Sequence, residues 1–165
     1  MSQAIGIRLK LGYAGSMTRS SDFIVQNRIN SEAMPFGSGV MINPDNTVSA
    51  FGANGDENRF LGFAVRIVKQ QQAIFENTGA YHKGELTDVM VRGSMAVPFR
   101  GTGTPTAAGA VFIRTARNPA FPNAQIGDVE AAPDGANTVR IPRASFATGI
   151  VEGGLVEVTV TERRI

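Results

Sequence analysis

Near the C-terminus, Val156, Val158 and Val160 alternate with Glu157, Thr159 and Thr161, the two-residue period of a strand with one face on a core and one in water. Short apolar runs recur at Gly39–Ile42, Gly62–Val65, Val89–Val91, Met95–Val97, Ala110–Ile113 and Thr138–Ile141. Turn formers such as Asn43-Pro44-Asp45-Asn46 and Ala132-Pro133-Asp134-Gly135 separate them. The pattern predicts an all-β fold, a compact barrel or sandwich. A helix of one or two turns is expected only over Asp22–Asn30, with Ser20, Ser21 or Asp22 as its cap. At the N-terminus Ile5, Ile7, Leu9 and Leu11 alternate with Gly6, Arg8 and Lys10. That alternation predicts an edge strand or an arm over residues 1–19, ahead of a β domain over residues 20–165.

A weak internal repeat runs through the β domain, relating residues 36–97 to 107–160. Gly39-Val40-Met41-Ile42 aligns with Gly109-Ala110-Val111-Phe112-Ile113, and Gly84-Glu85-Leu86 before Val89 aligns with Gly154-Leu155 before Val156. Both glycine pairs are 70 residues apart. Gly62-Phe63-Ala64-Val65 has a looser counterpart in Gly127-Asp128-Val129. Two related small β lobes would produce this pattern; so would chance recurrence in a glycine-rich β chain.

Composition narrows the chemistry. The chain has 165 residues, 42% of them hydrophobic, enough for one domain or two small lobes with a true core. The absence of cysteine excludes a disulfide scaffold, a thiolate-bound metal and a thiol nucleophile. Sixteen Lys and Arg against fourteen Asp and Glu are close to balance, so the totals give no support to nucleic-acid binding. Arg8 and Lys10 interrupt what would be the apolar region of a secretion signal, and none is expected. No stretch approaches the roughly 20 apolar residues of a membrane-spanning helix, which predicts a soluble protein without a membrane partner.

Catalytic devices are not legible. His82 is the only imidazole, has no Gly-x-Ser-x-Gly elbow to serve, and reads as an exposed side chain in a polar loop. One histidine and no cysteine argue against zinc, and Asn54-Gly55-Asp56-Glu57-Asn58 lacks the ligand spacing of a calcium loop and reads as a solvated turn. Gly101-Thr102-Gly103-Thr104-Pro105 has no Gly-Lys-Ser/Thr after it and reads as a plain loop rather than a phosphate cradle. No metal, cofactor or catalytic residue is assigned. Ten Phe, two Tyr and no Trp point to core packing rather than to a stacking platform. The arginines, Arg100 and Arg114 among them, read as solvated strand-face charges or as contacts for a partner's carboxylates. The sharpest binding candidate is the N-terminal segment, with Ile5, Ile7, Arg8, Leu9, Leu11 and Tyr13 placed to pair with another subunit by strand addition.

The middle of the chain carries a family likeness. Met34-Pro35-Phe36-Gly37-Ser38-Gly39-Val40, then Phe51-Gly52-Ala53 and Phe60-Leu61-Gly62-Phe63-Ala64-Val65-Arg66, resembles the structural cement, or capsid decoration, proteins of tailed bacteriophages. Phe23–Glu32 upstream, Glu85–Val97, Ala108–Arg114 and a closing Gly154–Val158 follow in the same order and approximate spacing, so the likeness covers roughly residues 20 to 160. Each motif is a glycine with β-branched residues and is unspecific alone; the specificity lies in their ordered combination.

The resemblance implies a non-enzymatic virion protein on the capsid exterior, made in the cytoplasm of a bacterial host. Its implied partners are the major capsid protein and further copies of itself, a homotrimer or a dimer, without direct contact to nucleic acid. The alternating N-terminal pattern adds a separate expectation, that residues 2 to 19 contribute disproportionately to capsid or subunit contact. Two other classes remain open at this stage. A trimeric β-barrel enzyme, such as a nucleotide hydrolase, would hide its site between subunits but needs carboxylates clustered around a metal, which the sequence does not display. A tail or surface module gripping glycans is the other; missing Trp counts against it, and a glycan array discriminates.

Overall fold

The computed structural model describes residues 11–18, 22–67, 79–151 and 153–162. The strands are β1 (Ile24–Ile29), β2 (Met34–Pro35), β3 (Gly39–Ile42), β4 (Val48–Ala50), β5 (Phe60–Ala64), β6 (Ala80–Tyr81), β7 (Leu86–Pro98), β8 (Ala110–Arg114), β9 (Val129–Glu130), β10 (Thr138–Phe146) and β11 (Leu155–Val160). A single 3₁₀ turn at Gly135–Asn137 is the one helical element among the described residues. The fold is all-β.

Two apolar runs expected as separate pieces, Val89–Val91 and Met95–Val97, belong to the same strand, the thirteen-residue β7. Its first half pairs with β1 and β5, its second half with β11. The main sheet therefore runs β4-β3-β5-β7-β11-β10-β8-β9, with β1 beside β7. This order reads alike from both ends: β3, β4, β5 and β7 occupy one half in the positions that β8, β9, β10 and β11 occupy in the other. Each half curls until its ends meet at one parallel bridge, Asn30 to Val48 in the first and Phe99 to Val129 in the second. The 70-residue offset thus joins β3 to β8. The looser alignment is corrected, because Gly127–Val129 leads into β9, the counterpart of β4, whereas β5 corresponds to β10.

One strand serving two halves must change which face it buries. Val89 and Val91 enter a cluster with Met34, Phe36, Val40, Val48, Leu61, Ala64 and Tyr81. Met90, Met95 and Val97 enter the larger core, with Phe51, Phe60, Phe63, Ile113, Ile141, Phe146 and the β11 valines. The inward positions shift from even to odd between Met90 and Met95, the signature of one inserted residue. Gly93 lies at that shift with φ +124°, beside the register irregularity between Ile24 and Val25. A Cβ on Gly93 would sit 2.6 Å from the Cβ of Phe23.

The expected helix over Asp22–Asn30 is overturned: Ile24–Ile29 forms β1, antiparallel to β7. Its β-branched Ile24, Val25 and Ile29 suit a sheet, and the backbone groups of Leu86–Arg92 supply the ladder that decides against local helix propensity. Asp22 caps nothing and instead pairs with Arg92 at 3.0 Å.

Gly93→Ala should lower stability by about 1–3 kcal/mol, since it combines a disfavoured φ with a clash against Phe23. A reduced urea midpoint with an unchanged β-type circular dichroism spectrum is the expected readout.

Candidate partner-binding surface

The described part of the N-terminal segment is woven into the sheet. Gly15 N–H donates to Ala96 O at 2.8 Å, Ala96 N–H to Ser16 O at 2.9 Å, and Thr18 N–H to Ser94 O at 3.0 Å, so residues 15–18 precede β1 along β7. Arg66 N–H donates to Gly15 O at 2.8 Å. Gly15 has φ +80°, and a Cβ there would lie 2.8 Å from Arg66 N, so only glycine fits this crossing without strain. Thr18 Oγ1 donates to Glu157 Oε1 at 2.6 Å. Glu157 is consequently only 3% exposed, and the wet face expected for β11 is wet at neither Glu157 nor the half-buried Thr159.

Upstream of this anchor the chain turns outward. Tyr13 is 69% exposed, its ring faced by the Arg66 guanidinium at 4.9 Å. Arg66 also lies 5.6 Å from the Phe36 ring. Leu11 is half-buried. Ile5, Ile7, Arg8 and Leu9 lie outside the described residues. The expected arm of residues 1–19 therefore contains an anchored stretch, Gly15–Thr18, that belongs to the body.

The most concentrated chemistry is an ionic cluster where β8 meets β9. Arg114 and Glu130 are both fully buried, and Arg114 Nε donates to Glu130 Oε1. Arg114 Nη2 pairs with Asp134 Oδ2 at 2.9 Å, and Nη1 donates to Ala116 O at 3.1 Å. The second oxygen of Glu130 accepts from Thr102 N–H at 3.1 Å and Thr102 Oγ1 at 2.6 Å. Arg100 clasps Asp128 through Nε at 3.0 Å and Nη2 at 2.9 Å. Asn118 Nδ2 reaches both Asp134 oxygens, at 3.1 and 2.9 Å. The Gly101–Pro105 loop does cradle an anion, but it is the protein's own Glu130.

Burial drives the Asp128 carboxyl up from its ordinary range, against the opposing pull of Arg100 and of Gln125 N–H. The Asn118 hydrogen bond, reinforced by Arg114, holds Asp134 below the ordinary range. The reading of the arginines as solvated charges thus fails at Arg114, which is fully buried, whereas Arg100 stays exposed while it pairs with the buried Asp128; Glu130 and Glu157 are not outward groups available to a partner. Sequence spacing did not reveal the cluster, because Arg114 and Glu130 become neighbours only when β9 folds back on β8.

Elsewhere the loops behave locally. Asp56 Oδ1 accepts N–H bonds from Asn58 at 2.7 Å and Arg59 at 2.9 Å, closing the Asn54–Asn58 turn. Among the described residues no three acidic or histidine side chains converge in a metal-holding group. His82 is half-buried rather than exposed; its carbonyl accepts from Asn30 Nδ2 at 2.8 Å and its N–H donates to Glu85 at 2.7 Å. Large apolar side chains at the surface include the cross-strand pair Ile29 and Leu86, and Phe121, Ile126 and Ile150 on loops.

A family model described as structural cement protein (E217 gp24/Pam3 gp6) matches residues 1–161. No curated protein matches the chain. Among solved structures, a chain from "The capsid of Myoviridae Phage XM1" matches with a TM-score of 0.72 at 13% identity, covering 99% of both chains. At that identity the likeness concerns the fold.

Two expectations follow from the ionic cluster. Glu130→Ala should cost about 3–5 kcal/mol in urea unfolding, because it strands a buried guanidinium. Asp134, lowered on folding, contributes stability that is full above the ordinary 3.8 and lost as pH falls through its folded value. The stability gap between wild type and Asp134→Asn should therefore be open at pH 6 and closed in strong acid, as paired urea titrations would measure.

Proposed function

Because the chain belongs to the structural cement protein family, we propose that it is a non-catalytic virion protein that binds the outer face of the assembled major capsid protein shell and braces its lattice. The family match over residues 1–161 carries this reading. The geometry is consistent with it: two curled halves share one strand and a continuous core, a rigid body suited to spanning neighbouring subunits.

The physics of bracing is linkage. A ligand that binds the assembled lattice better than separated capsomers adds its binding free energy to that of the shell. At a free concentration of about 100 times its Kd, each site gains about 2.7 kcal/mol. Mixing the pure protein with expanded shells that lack it, then imaging them and heating them, tests the proposal. Decorated particles with a raised disruption temperature are expected; bare particles after incubation would refute it.

The segment ahead of Gly15 is the proposed grip, through Ile5, Ile7, Arg8, Leu9, Leu11 and Tyr13, by strand addition to the shell or to another copy of the chain. The anchor at Gly15–Thr18 sets where a truncation must stop. Deleting residues 2–10 should weaken shell binding at least tenfold and leave thermal unfolding of the free protein unchanged. Deleting residues 2–19 should destabilise the body as well, because it also removes the Gly15, Ser16 and Thr18 bonds. Co-sedimentation with shells and differential scanning calorimetry separate the two effects.

A further inference from the structure

The loop from Asn118 to Gly127 is ten residues without a charge, Asn-Pro-Ala-Phe-Pro-Asn-Ala-Gln-Ile-Gly. It has no regular secondary structure, yet five of its N–H groups are hydrogen-bonded. Ala120 N–H donates to Asn118 Oδ1 at 3.0 Å, and Phe121 N–H to Asn118 O at 3.0 Å. Ala124 N–H donates to Phe121 O at 3.1 Å, Gln125 N–H to Asp128 Oδ2 at 2.8 Å, and Gly127 N–H to Arg114 O at 2.9 Å. Pro119 and Pro122 fix φ on both sides of the tip. Gly127 O accepts from Gly39 N–H at 2.8 Å, which ties the end of the loop to the other half.

This loop nevertheless turns apolar side chains outward. Phe121 and Ile126 are each 39% exposed, and Pro119, Ala120 and Pro122 are exposed beside them. The Arg114 guanidinium lies 5.9 Å from the Phe121 ring centroid, so the ionic cluster supports the ring from beneath. Burying an ion pair is a poor route to stability compared with an apolar core, whereas it does fix geometry. A rigid segment with an exposed aromatic loses little freedom on binding, and aromatic anchors dominate interface energetics.

We propose that Asn118–Gly127 is a preformed wedge whose Phe121 and Ile126 enter an apolar recess on the capsid shell. The proposal rests on the cement reading and names a second docking element besides the N-terminal segment. A second copy of this chain is the less suitable occupant, because three of its recesses have charged groups in their lining. One contains Glu57, Arg143 and Glu162, another Arg59, and a third Asp22 and Arg92. Seating a phenyl ring there would take water away from those charged groups. A docking loop free of charge also predicts shell binding through it that salt hardly weakens.

The test is co-sedimentation of wild type, Ala120→Glu, Phe121→Ala and Ile126→Ser with expanded shells lacking the protein. Scanning calorimetry and sedimentation velocity of each free variant accompany it. Ala120→Glu changes an exposed side chain and should leave the unfolding temperature unaltered while weakening shell binding at least tenfold. Ile126→Ser should weaken it several-fold. Phe121→Ala should weaken it as strongly as Ala120→Glu, with a lowered unfolding temperature because Arg114 loses its cover. Equal shell binding by wild type and a stably folded Ala120→Glu would overturn the wedge and leave the cement reading standing. Loss of self-association in Ala120→Glu with shell binding intact would also overturn it, in favour of a contact between copies. Failure of wild type itself to bind shells would remove both proposals.

Discussion

The structure depends on one strand being shared. β7 contributes to both halves of the sheet, and it can do so only if its buried face changes along its length. The extra residue that β7 carries where Ile24 and Val25 face Arg92 and Met90, next to Gly93, performs that change, sending Val89 and Val91 into one cluster and Met95 and Val97 into the other. Without the insertion, a strict two-residue period would point Met95 and Val97 away from the core that they fill. Gly93 accommodates Phe23 at close range, so the turn of the strand and the path of the incoming chain are fixed together.

Around this strand the two halves are alike in strand order and different in chemistry. Each closes by a single parallel bridge onto its outer strand. In the first half, apolar packing does most of the filling, with the Tyr81 hydroxyl donating to Val65 O at 2.7 Å and burial raising its pKa. The second half instead buries charge. Arg114, Glu130 and Asp128 add ion pairs at the ends of two loops whose backbone is also tied, Gly127 N–H to Arg114 O and Ala131 N–H to Thr102 O, both at 2.9 Å. Low dielectric makes the removal of any one member of such a network damaging.

Under the proposed bracing role, rigidity has a direct thermodynamic meaning. Conformational freedom lost on docking subtracts from affinity, and a body that has lost it on folding keeps more of its contact energy for whatever it binds. The N-terminal segment illustrates the complementary strategy. Its Gly15–Thr18 stretch is fixed by four backbone bonds, so the proposed grip would act at the raised effective concentration that tethering to a docked body provides.

The amino-acid sequence by itself determined the all-β class, most strand positions, the apolar role of Phe51, Phe60, Phe63 and Phe146, and the exclusion of thiol chemistry. These follow from local period and composition, which each segment carries whatever its neighbours are. Tertiary structure alone decided that Ile24–Ile29 is a strand, since its partner is β7 and not its own i+4 neighbours. It alone decided that Arg114, Glu130 and Glu157 are buried. Glu157 meets Thr18 across 139 residues, and Arg114 meets Glu130 across 16. A polar side chain looks solvated in sequence because its burial is a property of the partner that covers it, and that partner is chosen by strand pairing over distances no local period records.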